Sequence, residues 1–301
     1  MDAEGDTPNW LELPRDATFN ILLRLDTIQI LTSVCQVCPL WWNICKDPSL
    51  WRSIRMKKPF NSSYDLVKIC QYAVQRSCDR LEDIDIEQFA TDDLLKCLSE
   101  HASNLRCLRL QDCSEISDEG LIEAAKHFPL LEELRLSYID LSKNSFESLG
   151  QSCPHLKTLN YAISFDFSSF DDNAFAIAKT MPELRHIRFL VYELTDDGVL
   201  AILHGCPLLE SLRLDCYVNF ISESLKKMCC EKIKNVSFPL YSSGYSKDCP
   251  SENESGYSNL DDEDKYEYDS DDDEFTIRYA LSDNEYAVHY TRLHDVISKG
   301  Y

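Results

Sequence analysis

At 301 residues, 44% of them hydrophobic, with 15 Tyr and 13 Phe, the chain has apolar material for one large domain or two small ones and is not disordered throughout. Only 8 glycines argue against Gly-rich phosphate loops and turn-dense all-β folds. The net charge of −22, with no basic cluster, argues against nucleic-acid or membrane-surface binding.

The first ten residues, MDAEGDTPNW, are acidic and polar, with no apolar core of a secretory signal. No stretch reaches the ~18 apolar residues of a membrane span. These features predict a nuclear and/or cytoplasmic protein. Its 14 cysteines are then reduced, and several sit beside apolar residues where Cys packs as a small hydrophobe.

Residues 11–56 predict three short helices. Pro14 suits the first turn of a helix whose apolar stripe is Ile21, Leu22 and Leu25. Asp26 with Gln29 offers a cap before a second stripe of Ile30, Leu31, Val34, Val37 and Cys38. Pro39 opens a third helix carrying Trp41, Trp42 and Ile44, and Asp47-Pro48 turns the chain towards Leu50 and Trp51. Three helices of this size are too few to bury two stripes and three tryptophans unaided. Such a unit wants a partner or the following domain.

A repeat occupies the middle of the chain. LEDIDI (81–86), LRCLRL (105–110), LEELRL (131–136), LKTLNY (156–161), LRHIRF (184–189), LESLRL (209–214) and the fading IKNVSF (233–238) share an apolar-x-x-apolar-x-apolar pattern. Their starts are 24, 26, 25, 28, 25 and 24 residues apart, inside the range of about 20–29 for leucine-rich repeats. Ser117 and Thr195 predict helix N-caps with acidic first turns. Phe128-Pro129, Cys153-Pro154, Met181-Pro182 and Cys206-Pro207 predict helix ends, because proline cannot extend a helix. Each unit therefore reads strand, loop, capped helix, stop, and six or seven units stack into an arc. The pattern resembles cysteine-containing leucine-rich repeats, with Cys113 and Cys216 inward after the strand and Ile139 and Phe165 near that place elsewhere.

Beyond the repeat, 13 Asp or Glu stand against 2 Lys between Lys247 and Glu274, so half of the charge excess lies in under a tenth of the chain. The run DDEDKYEYDSDDDE (261–274) predicts a disordered tail. Residues 275–301 regain apolar character without a recognisable pattern.

Residues 11–56 also resemble the F-box. The likeness rests on Leu13-Pro14, an Ile-Leu-x-x-Leu helix (21–25), a Val-Cys-x-x-Trp element (37–41) and Cys-Lys-Asp-Pro-Ser-Leu-Trp (45–51), in that order. Trp42 departs from the pattern, where a polar or basic residue is expected. The layout is similar to plant F-box/LRR-repeat proteins of the Skp-interacting-partner type. It implies an α/β chain: an N-terminal three-helix F-box (10–56), a leucine-rich-repeat solenoid (57–240) with short parallel strands inside and helices outside, and an acidic, Tyr-rich disordered tail (241–301). It further implies the substrate-recognition subunit of an SCF (Skp–cullin–F-box) ubiquitin ligase, not an enzyme. Its partners are a Skp-type adaptor, a cullin through that adaptor, and an unknown protein substrate. Leu13, Pro14, Ile21, Leu22, Leu25, Leu31, Val34 and Trp51 are the candidates for touching the adaptor or supporting that contact. The alternatives are a non-catalytic repeat scaffold or an F-box protein with a non-degradative role.

No cofactor, metal or catalytic residue is expected. Cys35-Gln36-Val37-Cys38 lacks a second ligand pair, and Cys229-Cys230 reads as packing. His101, His127 and His204 fall late in the repeat helices, where the C-terminal dipole accounts for them. The central outward strand position reads Asp85, Arg109, Arg135, Asn160, Arg188, Arg213. Neighbouring Glu133 and Asp215 neutralise such a ladder. Alternatively Arg109, Arg135, Arg188 and Arg213 bind an acidic or phosphorylated target, or the chain's own acidic tail.

Overall fold

The computed structural model describes residues 13–59, 64–139, 141–163, 168–219 and 221–238; Phe165, the acidic run and residues 275–301 lie outside them. Helix α1 (Arg15–Leu22) begins directly after Pro14. Helix α2 (Thr27–Thr32) carries the expected capping box, with the Asp26 carboxylate accepting from the Gln29 N–H at 2.7 Å. It is shorter than the stripe through Cys38 suggests. Thr32 Oγ1 donates back to the Ile28 carbonyl at 2.7 Å, Ser33 leaves helical geometry, and a 3₁₀ turn follows at Val34–Gln36. Val37 therefore ends exposed instead of extending the buried stripe. Helix α3 (Pro39–Cys45) opens on proline, and a second 3₁₀ turn (Pro48–Trp51) delivers Leu50 and Trp51 to the core.

One sheet runs through the rest: β1 (Ser53–Lys57), β2 (Asp83–Glu87), β3 (Cys107–Gln111), β4 (Glu133–Ser137), β5 (Thr158–Ala162), β6 (His186–Leu194), β7 (Ser211–Asn219) and β8 (Asn235–Ser237). All seven pairings are parallel and follow chain order. A helix lies between each strand and the next: α4 (Leu66–Arg76), α5 (Asp92–His101), α6 (Asp118–Ala125), α7 (Lys143–Ser152), α8 (Asp171–Thr180), α9 (Asp196–Gly205) and α10 (Glu223–Lys232). Sequential parallel strands with one helix per crossover make a solenoid.

The seven segments read from the sequence are β2 to β8, in register. The strand that goes beyond them is β1. It lies within the span assigned to the F-box, yet it pairs with β2 from Ser53↔Asp83 to Lys57↔Glu87. The helical module thus ends as the first rung of the solenoid.

The core lies between sheet and helices, built from the repeated leucines with Ala102, Phe128, Cys153, Met181 and Cys206 at the helix ends, all buried. Cys113 and Cys216 point inward as expected, and Ile139 takes the same place in the fourth strand's unit. At β5 and β6 the filling is aromatic: Phe146, Tyr161, Phe170 and Phe189 touch one another at centroid distances of 5.0 to 5.6 Å.

Two polar ladders brace the stack. At the strand entrances Arg52–Glu82, Arg106–Glu132, Lys157–Glu132 and Arg185–Glu210 form ion pairs between units. These pairs are exposed and set registration more than stability. At the helix N-termini the first acid of one helix holds the cap of the next. Asp92 accepts from the Ser117 N–H at 2.9 Å and from its hydroxyl at 2.6 Å, and Asp171 does the same for Thr195 at 3.0 and 2.7 Å. Asp118 and Asp196 accept from the N–H groups of Ser142 and Ser222. Between α7 and α8 the cap position is Phe170, which has no side-chain cap; there the aromatic cluster bridges the two units.

Candidate functional site

Side chains at alternate strand positions face away from the helices, and the register aligns the central ones as Arg55, Asp85, Arg109, Arg135, Asn160, Arg188, Arg213 and Ser237. The predicted arginine ladder exists and is one strand longer, with Arg55 preceding Asp85. A cavity of about 400 Å³ over the middle of this face is lined by Asp85, Arg109, Arg135, Tyr138, Asn160 and Arg188, among others. Tyr138 reaches its rim because the backbone turns left-handed after the strand, at φ 59°, as it does at Gln88 and Asp112. An exposed tyrosine in that conformation is uncommon.

The arginines are not equivalent. Arg109 is the most buried of the four and makes two charge-assisted hydrogen bonds, to Asp83 at 2.5 Å and to Glu133 at 2.8 Å. Burial works against its charge, but Asp83 and Glu133 outweigh that and hold its pKa above the ordinary arginine value. Arg213 donates from Nε to Asp215 at 2.9 Å. Arg135 shares Glu133 with Arg109: its buried Nε lies 2.6 Å from that carboxylate without hydrogen-bond geometry. Arg188 shares Asp215 with Arg213, at 3.7 Å. Glu133 and Asp215 are thus the neutralising acids expected from the sequence, and each serves two guanidiniums.

Asp85 faces the same cavity. Burial pushes its carboxyl above the usual aspartate range, with Asp83 adding repulsion and Arg109, Arg55 and Arg135 opposing the rise. A carboxyl that holds its proton more tightly when folded loses stability as pH climbs from the unfolded aspartate range through the folded pKa. Asp85→Asn is therefore expected to stabilise the protein at pH 7 and to be near neutral at pH 4 in urea unfolding. An equal effect at both pH values would contradict the burial argument.

The eight adaptor candidates separate into two groups. Leu22, Leu31, Val34 and Trp51 are core side chains, placed to support the module's shape. Pro14 and Ile21 are exposed, and Leu13 and Leu25 half-buried. The module also exposes Leu23, at 50%, Val37, at 49%, and Leu40. Sequence reasoning placed Val37 on a buried stripe and passed over the other two. Trp42, the departure from the family pattern, packs inward at 6% exposure, against the guanidinium of Arg76 on α4. It joins the helical module to the solenoid.

Most of the described cysteines are buried packing residues. Cys35 and Cys45 are buried neighbours in the helical module, and Cys153 and Cys206 donate from Sγ to carbonyls of the preceding unit. Burial pushes the thiols of Cys153, Cys206 and Cys216 up to about 12. Iodoacetamide at neutral pH is expected to label exposed Cys78 first among the described cysteines and to leave those three unmodified in the folded protein. Peptide mass spectrometry reads the order directly. Among the described residues, no group of three or more His, Cys, Asp or Glu is placed to hold a metal, and no helix is long and apolar enough to cross a membrane.

Comparison with known proteins agrees with this layout. The F-box-like family matches residues 10–57, and the family described as FBD-associated F-box protein At5g56370, LRR repeats, matches residues 76–169. The chain is 45% identical over 240 residues to F-box/LRR-repeat protein 23 of Arabidopsis thaliana, covering 77% of this chain but only 53% of that relative. It is 44% identical to the F-box protein SKIP19 of the same plant, covering 78% of each. F-box/LRR-repeat protein 22 is 38% identical, covering 88% of this chain and 92% of the relative. Among solved structures, the crystal structure of the Rad7 and Elc1 complex in yeast shares the fold, with a TM-score of 0.52 at 19% identity over 74% of this chain and 59% of that one. With an F-box-like module ending in the first strand of a leucine-rich-repeat solenoid, and with Arabidopsis F-box/LRR-repeat proteins among its relatives, the chain belongs to the plant F-box/LRR-repeat proteins.

Proposed function

We propose that this chain is the substrate-recognition subunit of an SCF ubiquitin ligase. Its F-box would dock on a Skp-type adaptor and through it a cullin, and its concave face would hold a target protein for ubiquitination. The observation that carries this reading is the division within the helical module. Leu22, Leu31, Val34 and Trp51 build an interior, while Ile21, Leu23, Val37 and Leu40 leave large apolar side chains in water. Helix α1 packs on α3, so its exposed end and the start of α3 belong to one small unit. Apolar surface left out by so small a module is what a hydrophobic association would cover. Proteins of this family are typically non-catalytic adaptors, and the reading asks no chemistry of the chain itself.

Ile21→Glu with Leu40→Glu is expected to weaken co-purification with a Skp-type adaptor by at least about 100-fold, since each change removes an apolar contact and strands a charge. Both sites are exposed, so thermal unfolding should hardly move. Unchanged adaptor binding would sink the receptor reading in favour of a repeat scaffold.

A further inference from the structure

The outward faces of β4, β5 and β6 are not charge-matched in the same way as their neighbours. Strand β5 presents Thr158, Asn160 and Ala162, with no acid and no base. On either side stand Arg135 and Arg188, across a span of about 10 Å set by two inter-strand steps. Among the four ladder arginines of β3, β4, β6 and β7, these two make no hydrogen bond to a carboxylate within the described residues. Glu133 accepts a hydrogen bond from Arg109 and lies 2.6 Å from Arg135 Nε without hydrogen-bond geometry, while Asp215 accepts from Arg213 and stands 3.7 Å from Arg188, so in each pair the hydrogen bond goes to the outer arginine. The inner guanidiniums are left facing an uncharged strip whose Asn160 amide can donate as well. Arg135, Asn160 and Arg188 line the same cavity, with Ser137 and Tyr138 at one side.

The geometry points to this slot over β5 as an oxyanion-binding site that takes the phosphoryl group of a phosphorylated target peptide. The inference deepens the receptor reading by naming a ligand class and its residues. A phosphoryl group is a near-dianion with three acceptor oxygens. Two guanidiniums at this spacing can each give a charge-assisted pair of hydrogen bonds, and Asn160 can serve the third oxygen. A single carboxylate between them offers fewer acceptors and half the charge. The slot is open at the top, so an extended peptide can lie across the strands while its modified side chain reaches down.

The test uses the full-length chain and a degenerate phosphoserine peptide library, with the same library carrying serine as control and inorganic phosphate as a second probe. Selective, salt-weakened retention of the phosphoserine library is expected. Arg135→Gln or Arg188→Gln should each weaken it at least about tenfold, roughly the contribution of one charge-assisted contact. Arg213→Gln, whose guanidinium is already hydrogen-bonded to Asp215, should weaken it less than about threefold. Because the acidic run 261–274 is a rival anion, the same measurements are made on full-length protein with those acids changed to Asn and Gln. No retention in either background, equal retention of both libraries, or an Arg213→Gln effect as large as those of Arg135 and Arg188 would overturn the assignment. Competition by phosphate alone, without peptide retention, would also overturn it by placing the chemistry in a free small anion. Adaptor binding measured on the same variants should be unaffected, so failure of this site is separable from failure of the receptor reading.

Discussion

Trp51→Ala is expected to cost about 3–5 kcal/mol, the range for emptying a large aromatic from a packed core. The indole is 1% exposed, and its Nε1 donates to the Cys45 carbonyl at 2.9 Å. Removing it leaves a cavity, an unsatisfied buried carbonyl and a loosened joint between α3 and β1. Against a typical total of 5–15 kcal/mol, that loss is a large share of the protein's stability. The melting temperature should fall by about 10 °C or more, and amides of α3 and β1 should exchange with solvent together. A shift within about 2 °C would show that the tryptophan is not the keystone its position implies. Trp51→Phe should recover most of the packing and lose mainly the hydrogen bond.

Gly120→Ala should destabilise by about 2–3 kcal/mol, although glycine to alanine within an exposed helix normally stabilises by about 1 kcal/mol. The reversal has one cause. A Cβ on Gly120 would overlap the Asp92 carboxylate, and all three of its nearest atoms belong to that side chain. The carboxylate cannot withdraw without releasing the N–H and hydroxyl of Ser117. Asp92→Ala alone should cost about 2 kcal/mol for the lost charge-assisted bonds. In the Asp92→Ala background, Gly120→Ala should become neutral or stabilising, because the obstruction is gone. Additive losses in this double-mutant cycle would disprove the steric account. Asp171 on α8 and Gly198 on α9 repeat the arrangement of α5 and α6 three helices further on, with Leu194 as a further neighbour.

Much of this architecture was legible because it recurs. Seven strands announced themselves through one apolar spacing, and the proline stops marked the helix ends. The eighth was hidden by context. Trp51, Ile54 and Met56 follow the same apolar-x-x-apolar-x-apolar spacing, but a tryptophan stands for the leading leucine and the F-box motif had already claimed it. The caps Ser117 and Thr195 were visible, whereas their partners Asp92 and Asp171 were not. A contact between residues 24 or 25 positions apart is fixed by the stacking of units and leaves no local signal. In the candidate site, the arginine ladder could be read position by position. Which acid faces which arginine could not, because side-chain orientation on a strand depends on the neighbours above and below. The same limit blurred the F-box: a helical stripe lists apolar residues, but only packing separates buried Leu22 from exposed Leu23 and Leu40.

The strand shared between the helical module and the sheet has a mechanical consequence. Trp51 lies in the module's core, and two residues later the chain is already hydrogen-bonded into the sheet, so there is no tether between the two parts. A tether would let the arc sweep a cone of directions; here the joint behaves as a weld. The angle between them is written into backbone register, and one residue inserted at Arg52 would turn Ile54 and Met56 outward or tear β1 from β2. Whatever grips the module would therefore aim the outward face of the sheet, and a target held over β5, as proposed, would stand at a fixed distance and heading from that grip.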